Sequence, residues 1–164
     1  MNLVREIWIS ARVQRAMLDH CVALQPEEAG GLLVGRFETG EVTRWVVEYI
    51  VPLENVWPTS EERDHRICFD PRAQLEVEAS ARLQKCSLIG SFHSHPTAIA
   101  EPSAIDLEWA WDAYAYVIVS LTPGAVCVRG WALDGATKRF IECKMCDGAP
   151  GALQSVQSST NTVA

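Results

Sequence analysis

The densest chemistry in the chain lies between residues 91 and 106, where Ser91-Phe92-His93-Ser94-His95-Pro96 is followed by Glu101-Pro102-Ser103-Ala104-Ile105-Asp106. His93 and His95 are two positions apart, so on a strand their imidazoles leave the same face and can converge on one ion. Pro102 and Ser103 signal a helix start, which puts Asp106 on the first turn, beside Ser103 and within reach of the histidine pair. Two neutral imidazoles and one carboxylate form the protein ligand set of a catalytic zinc site, whose fourth position is left to water. A plainer reading competes for the helix start. Ser103-x-x-Asp106 is also a capping box, in which the serine bonds first-turn N–H groups and the aspartate complements the helix dipole. His-x-His, an interval of seven residues and Ser-x-x-Asp, taken together, favour the metal. Isolated histidines such as His20 and His65 read as ordinary surface or core residues.

These side chains need elements to aim them. A strand over Ser87–Phe92 delivers the histidines, and a helix from Ser103 to about Asp112 carries the aspartate. Earlier, Val13, Met17, Cys21 and Leu24 recur at helical spacing after Ser10, a good N-cap, and Pro26 stops that helix. Gly31–Gly35 and Glu41–Val47 read as a hairpin around Thr39-Gly40. Pro52–Arg66 loses the apolar pattern and reads as a long surface loop, closed by a short strand at Ile67–Phe69. Asp70-Pro71 opens a second helix, with Leu75, Ala79 and Leu83 on its inner face. Further strands are expected near Ala115–Leu121, Val126–Leu133 and Arg139–Cys143. The result is an α/β domain with a mixed sheet, spanning residues 1–146. Residues 147–164, largely Gly, Ala, Ser, Gln and Thr, have little to bury and read as a disordered tail.

Composition narrows the partners. Against 21 Asp and Glu stand 14 Lys and Arg, a formal charge of −7 on 164 residues of which 48% are hydrophobic, as expected of one soluble globular domain. An acidic surface repels phosphate, so neither nucleic acid nor an anionic membrane is an expected partner. The densest apolar run, Tyr114–Leu121, is far short of the roughly 18 residues of a membrane span. The segment Met1-Asn2-Leu3-Val4-Arg5-Glu6 carries charge where an export signal would be apolar, which predicts cytoplasmic residence and reduced thiols. Six cysteines are scattered through the chain. Cys143-x-x-Cys146 lacks the second pair a closed zinc site wants, and it reads as a pair of strand residues.

His93-Ser94-His95-Pro96 with Ser103 and Asp106 resembles the JAMM signature, H-x-H-x(7)-S-x-x-D, of the catalytic MPN zinc metalloproteases, complete at all four positions. Members carry an upstream glutamate in E-x-C-G-x-L-x-G, and Pro26-Glu27-Glu28-Ala29-Gly30-Gly31-Leu32-Leu33-Val34-Gly35 is similar, aligning Glu28 with the acid/base. Gly30 stands where the usual cysteine would be, and a slip of one residue would select Glu27 instead. The resemblance implies a curved β-sheet flanked by helices, similar to cytidine deaminases. It also implies one zinc held by His93, His95 and Asp106, with Glu28 as general base and Ser103 donating to the oxyanion.

Members of this family cleave peptide or isopeptide bonds after the C-terminal Gly-Gly of ubiquitin-like proteins, a tail narrow enough to thread a groove and add as a strand to a sheet edge. Loop Pro52–Arg66, with Trp57 as an aromatic anchor, and the turn Thr97–Glu101 then select the substrate. Trp109 and Trp111 read as packing residues. The compact form resembles the small prokaryotic branch, which points to processing of a sulfur-carrier protein with a Gly-Gly end. The alternative is a deubiquitinase-like deconjugating enzyme of a bacterial ubiquitin-like, antiviral system. A zinc deaminase would need H-x-E and P-C-x-x-C, which are absent. A non-catalytic MPN scaffold would lack the ligands that are present here.

Overall fold

Alternating apolar residues along seven strands dictate the architecture, seen in a computed structural model that describes residues 4–150. In chain order the elements are β1 (Val4–Ile9), α1 (Ala11–Ala23), β2 (Gly30–Glu38), β3 (Val42–Leu53), a 3-10 turn (Ser60–Glu62), α2 (Pro71–Leu83), β4 (Ser87–His95), α3 (Ala104–Glu108), β5 (Ala115–Ser120), β6 (Cys127–Asp134) and β7 (Arg139–Asp147). The strands pair in the order β1-β3-β2-β4-β5-β6-β7, and β7 returns to β1. The β1–β3, β1–β7 and β4–β5 pairs are parallel and the others antiparallel. The fold is mixed α/β with flanking helices, as expected, but the curved sheet expected is here a closed barrel.

Strand β1 makes the closure, and it carries no element in the sequence-based reading. Its Ile7 and Ile9 are buried in the core. Arg5 and Glu6 break the apolar alternation, and their opposite charges lie on other strands of the closed sheet: Arg5 pairs with Asp134 at 3.4 Å, and Arg44 with Glu6 at 3.1 Å. One apolar cluster joins Ile7, Ile9, Trp45, Val47, Phe92, Val117 and Val119 of the strands to Met17 and Cys21 of α1. Helix α1 starts as expected, with Ser10 Oγ accepting from the Val13 N–H. Asp147 Oδ1 also accepts from the Ala11 N–H at 3.0 Å. Asp147 therefore belongs to the barrel and not to the expected tail, of which residues 151–164 lie outside the described residues.

Three other expectations need correction. Leu75 and Leu83 of α2 are 66% and 87% exposed, while Ala81 is buried and Ala73 and Val77 face Tyr49 and Val51 of β3. Both sets recur every four residues, so spacing alone does not choose between them; the small side chains at 73 and 81 allow the closer approach to the sheet. Ile67–Phe69 forms no strand, and α3 ends at Glu108, one turn short of the expected end. No helix among the described residues is long and apolar enough to cross a membrane.

Candidate metal centre

The site forms at one rim of the barrel, where β4 ends and β2 begins, with Gly30 opposite His93 in register. Alternation along β4 puts His93 and His95 on one face and the fully buried Ser94 on the other. Helix α3 then opens with a complete capping box. Ser103 Oγ accepts from the Asp106 N–H at 3.2 Å, and the Ser103 N–H donates to Asp106 Oδ2 at 2.6 Å. The capping and metal-binding readings are compatible, because Asp106 Oδ1 stays free and lies 3.2 Å from His93 Nε2.

The two Nε2 atoms face each other at 3.1 Å, and Asp106 Oδ2 is 3.8 Å from that of His95. One ligand atom from each of the three residues lies within 4.8 Å of the others. Tetrahedral zinc with ligands about 2.0–2.1 Å away holds them about 3.3 Å apart, so this donor set fits the ion in both kind and spacing. His95 Nδ1 meets the Ile99 carbonyl at 2.7 Å. A ring that donates there from Nδ1 keeps the lone pair of Nε2 for a metal.

Glu28 reaches the same place from the other side of the β2–β4 junction. Its N–H donates to the Arg63 carbonyl at 2.6 Å, and its carbonyl accepts from Asn55 Nδ2 at 3.1 Å. The next residue, Ala29, is locked to Ser94 by two bonds, N–H to Ser94 Oγ at 3.0 Å and carbonyl from the Ser94 N–H at 2.8 Å. These ties bring Glu28 Oε1 to 4.0 Å from His95 Nε2. Glu27 stays outside the cleft. A Cβ on Gly30 would meet the Phe92 carbonyl at 2.3 Å and the Phe69 ring at 2.9 Å, so Phe69 fills the space that a side chain at position 30 would need.

Electrostatics set the protonation states. Burial pushes the Glu28 carboxyl up to about 7; the Asp106 charge adds to this, and His93, His65 and Arg66 oppose it. For Asp106 burial acts in the same upward direction, but the bonds to His93 and Ser103 outweigh it and hold the carboxyl well below its usual range. His93 is raised because its bond to Asp106 overcomes burial, whereas His95 is lowered by burial and by the neighbouring His93. A cleft of about 190 Å³ opens on these groups, lined by Glu28, His95, Ser103 and Asp106 together with His65, Arg66 and Ile67 of the long loop.

Residues 10–134 match the profile of the family described as prokaryotic homologs of the JAB domain. The chain belongs to that family. A curated relative from Thermus thermophilus, named a probable TtuB-protein conjugate cleaving protease, is 33% identical over 110 residues, 65% of this chain and 67% of the relative. Two solution structures are similar at 29% identity. One, from Desulfitobacterium hafniense, has a TM-score of 0.72 over 89% of this chain and 97% of its own. The other, from Salinibacter ruber, has a TM-score of 0.61 over 88% and 93%.

Within this prokaryotic JAB fold the long loop borders the cleft through residues 64–67, but Trp57 does not line it. The Trp57 indole donates to Glu62 at 2.8 Å and its N–H to Asn55 Oδ1 at 3.0 Å, folding the ring into its own loop. Trp109 and Trp111, expected to pack, are 65% and 70% exposed, because α3 stops before they can turn inward. Cys143 is buried and Cys146 half-buried on β7, three positions apart and so on opposite faces. The one group of metal-binding type among the described residues is His93, His95 and Asp106.

Sequence reasoning missed Asn55 and Ser94. Asn55 is buried and fully bonded, donating to the Glu28 and Arg66 carbonyls and accepting from the Trp57 and Cys68 N–H groups. Nothing distinguishes its letter from those of solvated loop residues. Ser94 did leave a signal: a hydroxyl on the inward face of a strand must find a partner.

Proposed function

We propose that this chain is a zinc-dependent peptidase or isopeptidase of the JAMM type that hydrolyses the bond after the C-terminal Gly-Gly of a ubiquitin-like protein. The observation that carries this reading is the cluster of buried His93 and His95 with half-buried Asp106, a Glu28 carboxylate oxygen lying 4.0 Å from His95 Nε2. Zinc held by those three residues would supply Lewis acidity, lowering the pKa of water from about 15.7 toward about 7. Glu28, poised near neutrality by burial, is matched to take a proton from the attacking water and return it to the departing amine. Ser103 Oγ uses a lone pair for the helix cap, which leaves its O–H to donate to the carbonyl oxygen as charge develops there.

The barrel closes along most of each strand, so the backbone nearest the cleft for a Gly-Gly tail to pair with is that of the loops lining it, at residues 64–67 and 96–98. Trp57 as a substrate anchor then requires the loop to present it from outside the cleft. The name of the Thermus relative speaks of protein conjugates, which favours isopeptide cleavage over the processing of a linear sulfur-carrier precursor. A cytoplasmic site of action goes with either reading.

The test is metal content together with two substrates, a linear fusion after Gly-Gly and the same modifier joined to a lysine side chain. The expected result is about one zinc per chain and hydrolysis that chelator abolishes. Glu28→Ala should lower the rate on the order of 10²–10⁴-fold with zinc retained. Undiminished turnover in Glu28→Ala, or full activity after chelation, overturns the mechanism.

A further inference from the structure

The turn that follows His95 is held at each successive position by a group from β5 or β6, or by His95 itself. Ser120 Oγ donates to the Ala98 carbonyl at 2.7 Å, and His95 Nδ1 meets that of Ile99 at 2.7 Å. Trp131 Nε1 donates to the Ala100 carbonyl at 3.0 Å, in a buried bond. Arg129 Nη1 reaches Glu101 Oε1 at 2.9 Å, while its Nε and Nη2 grip the Glu142 carboxylate at 2.8 and 2.9 Å. The Arg129 guanidinium lies over the Trp131 ring, 4.7 Å from its centroid. Ala100 is buried in a small cluster of its own with Ile118 and Trp131. A surface turn rarely has three consecutive carbonyls and the following side chain fixed by separate donors, and the middle carbonyl is the one that faces a metal-ligand imidazole.

We propose that Trp131, which touches neither the ligand triad nor the cleft, is a positioning residue for the metal. Its indole N–H holds the Ala100 carbonyl, and thereby aims the Ile99 carbonyl at His95 Nδ1. Without that hold, the Glu101 N–H at 2.9 Å is left as the one other restraint on the Ile99 carbonyl, which then drifts from its aim, and the His95 proton is no longer confined to Nδ1. A ring protonated at Nε2 cannot ligate from the side that faces His93 and Asp106. The inference rests on the metal-site reading above, yet the imidazole tautomer can be read without any metal.

Two measurements on the full chain test it: zinc affinity by competition with a chromophoric chelator, and the His95 tautomer by long-range proton–nitrogen correlation in metal-free protein. Trp131→Phe keeps an aromatic ring at the position, though a smaller one, and removes the donor. It should weaken zinc binding about tenfold, as loss of outer partners of a ligand histidine does, and mix the two His95 tautomers. Phe140→Leu, which trims the same cluster but leaves the indole bond, should change neither. Should Trp131→Phe fail to fold, Ser120→Ala loosens the turn from its other end and should shift both readouts in the same direction. Wild-type zinc affinity with an unshifted tautomer in Trp131→Phe, or in Ser120→Ala where that is the variant that folds, overturns the proposal. A wild-type chain that takes up no zinc overturns the metal reading instead, while the tautomer still decides the role of Trp131.

Discussion

Glu28 shows how a single side chain ties chemistry to stability. Its folded pKa, pushed up to about 7 by burial, lies above the value of 4.5 for a free glutamate. Between those values the folded chain binds more protons than the unfolded one, so the stabilisation linked to Glu28 is complete below about pH 4.5 and is lost as pH rises through 7. In the metal-free protein, Glu28→Gln should therefore be more stable than wild type at pH 8, by on the order of 3 kcal/mol, and the gap should close toward pH 4. Denaturant melts at the two pH values give the answer; an equal gap at both would mean the carboxyl does not titrate as its burial demands. Burial imposes that cost even though the charges of His93, His65 and Arg66 oppose it.

Among the elements, the loop between β3 and α2 and the helix after it carry separable expectations. Asn55 joins that loop to Glu28 through one bond at 3.1 Å and braces the loop itself through three more, to Arg66, Trp57 and Cys68. Asn55→Ala should cost roughly 1–3 kcal/mol by orphaning buried partners, and should also slow turnover by releasing Glu28 while zinc affinity stays near wild type. Matched losses in affinity and rate would instead show that the loop supports the whole triad. For α2 the expectation is tolerance. Leu83 is 87% exposed, so Leu83→Lys should leave stability within about 0.5 kcal/mol, and a larger loss would restore the inward face that spacing alone suggested.

Across the whole molecule, the legible parts were those written locally. The histidine pair, the capped α3 and the hairpin were all readable, because a strand's alternation and a helix cap are properties of a few consecutive residues. Barrel closure was not, since β1 pairs with strands about 40 and 140 residues away and its Arg5 and Glu6 look like solvated charges until Asp134 and Arg44 arrive. Asn55 was hidden for the same reason. Zinc should act on this closed unit as a whole: at a free concentration 100 times its Kd, it should stabilise the fold by about 2.7 kcal/mol, an effect that excess chelator reverses. A melting temperature indifferent to zinc would count against the site.

The parallel pairing of β1 with β7 fixes which way the two ends of the described chain point. β7 runs in the same sense as β4, so Asp147 finishes at the rim that carries His95, whereas Val4 begins at the opposite rim, about 20 Å away along the strand. The described chain therefore enters the barrel at the rim away from the cleft and leaves β7 at the rim that carries it, three strands round from β4. A cleavage assay should accordingly tolerate a tag at the N-terminal end at least as well as one at the other end.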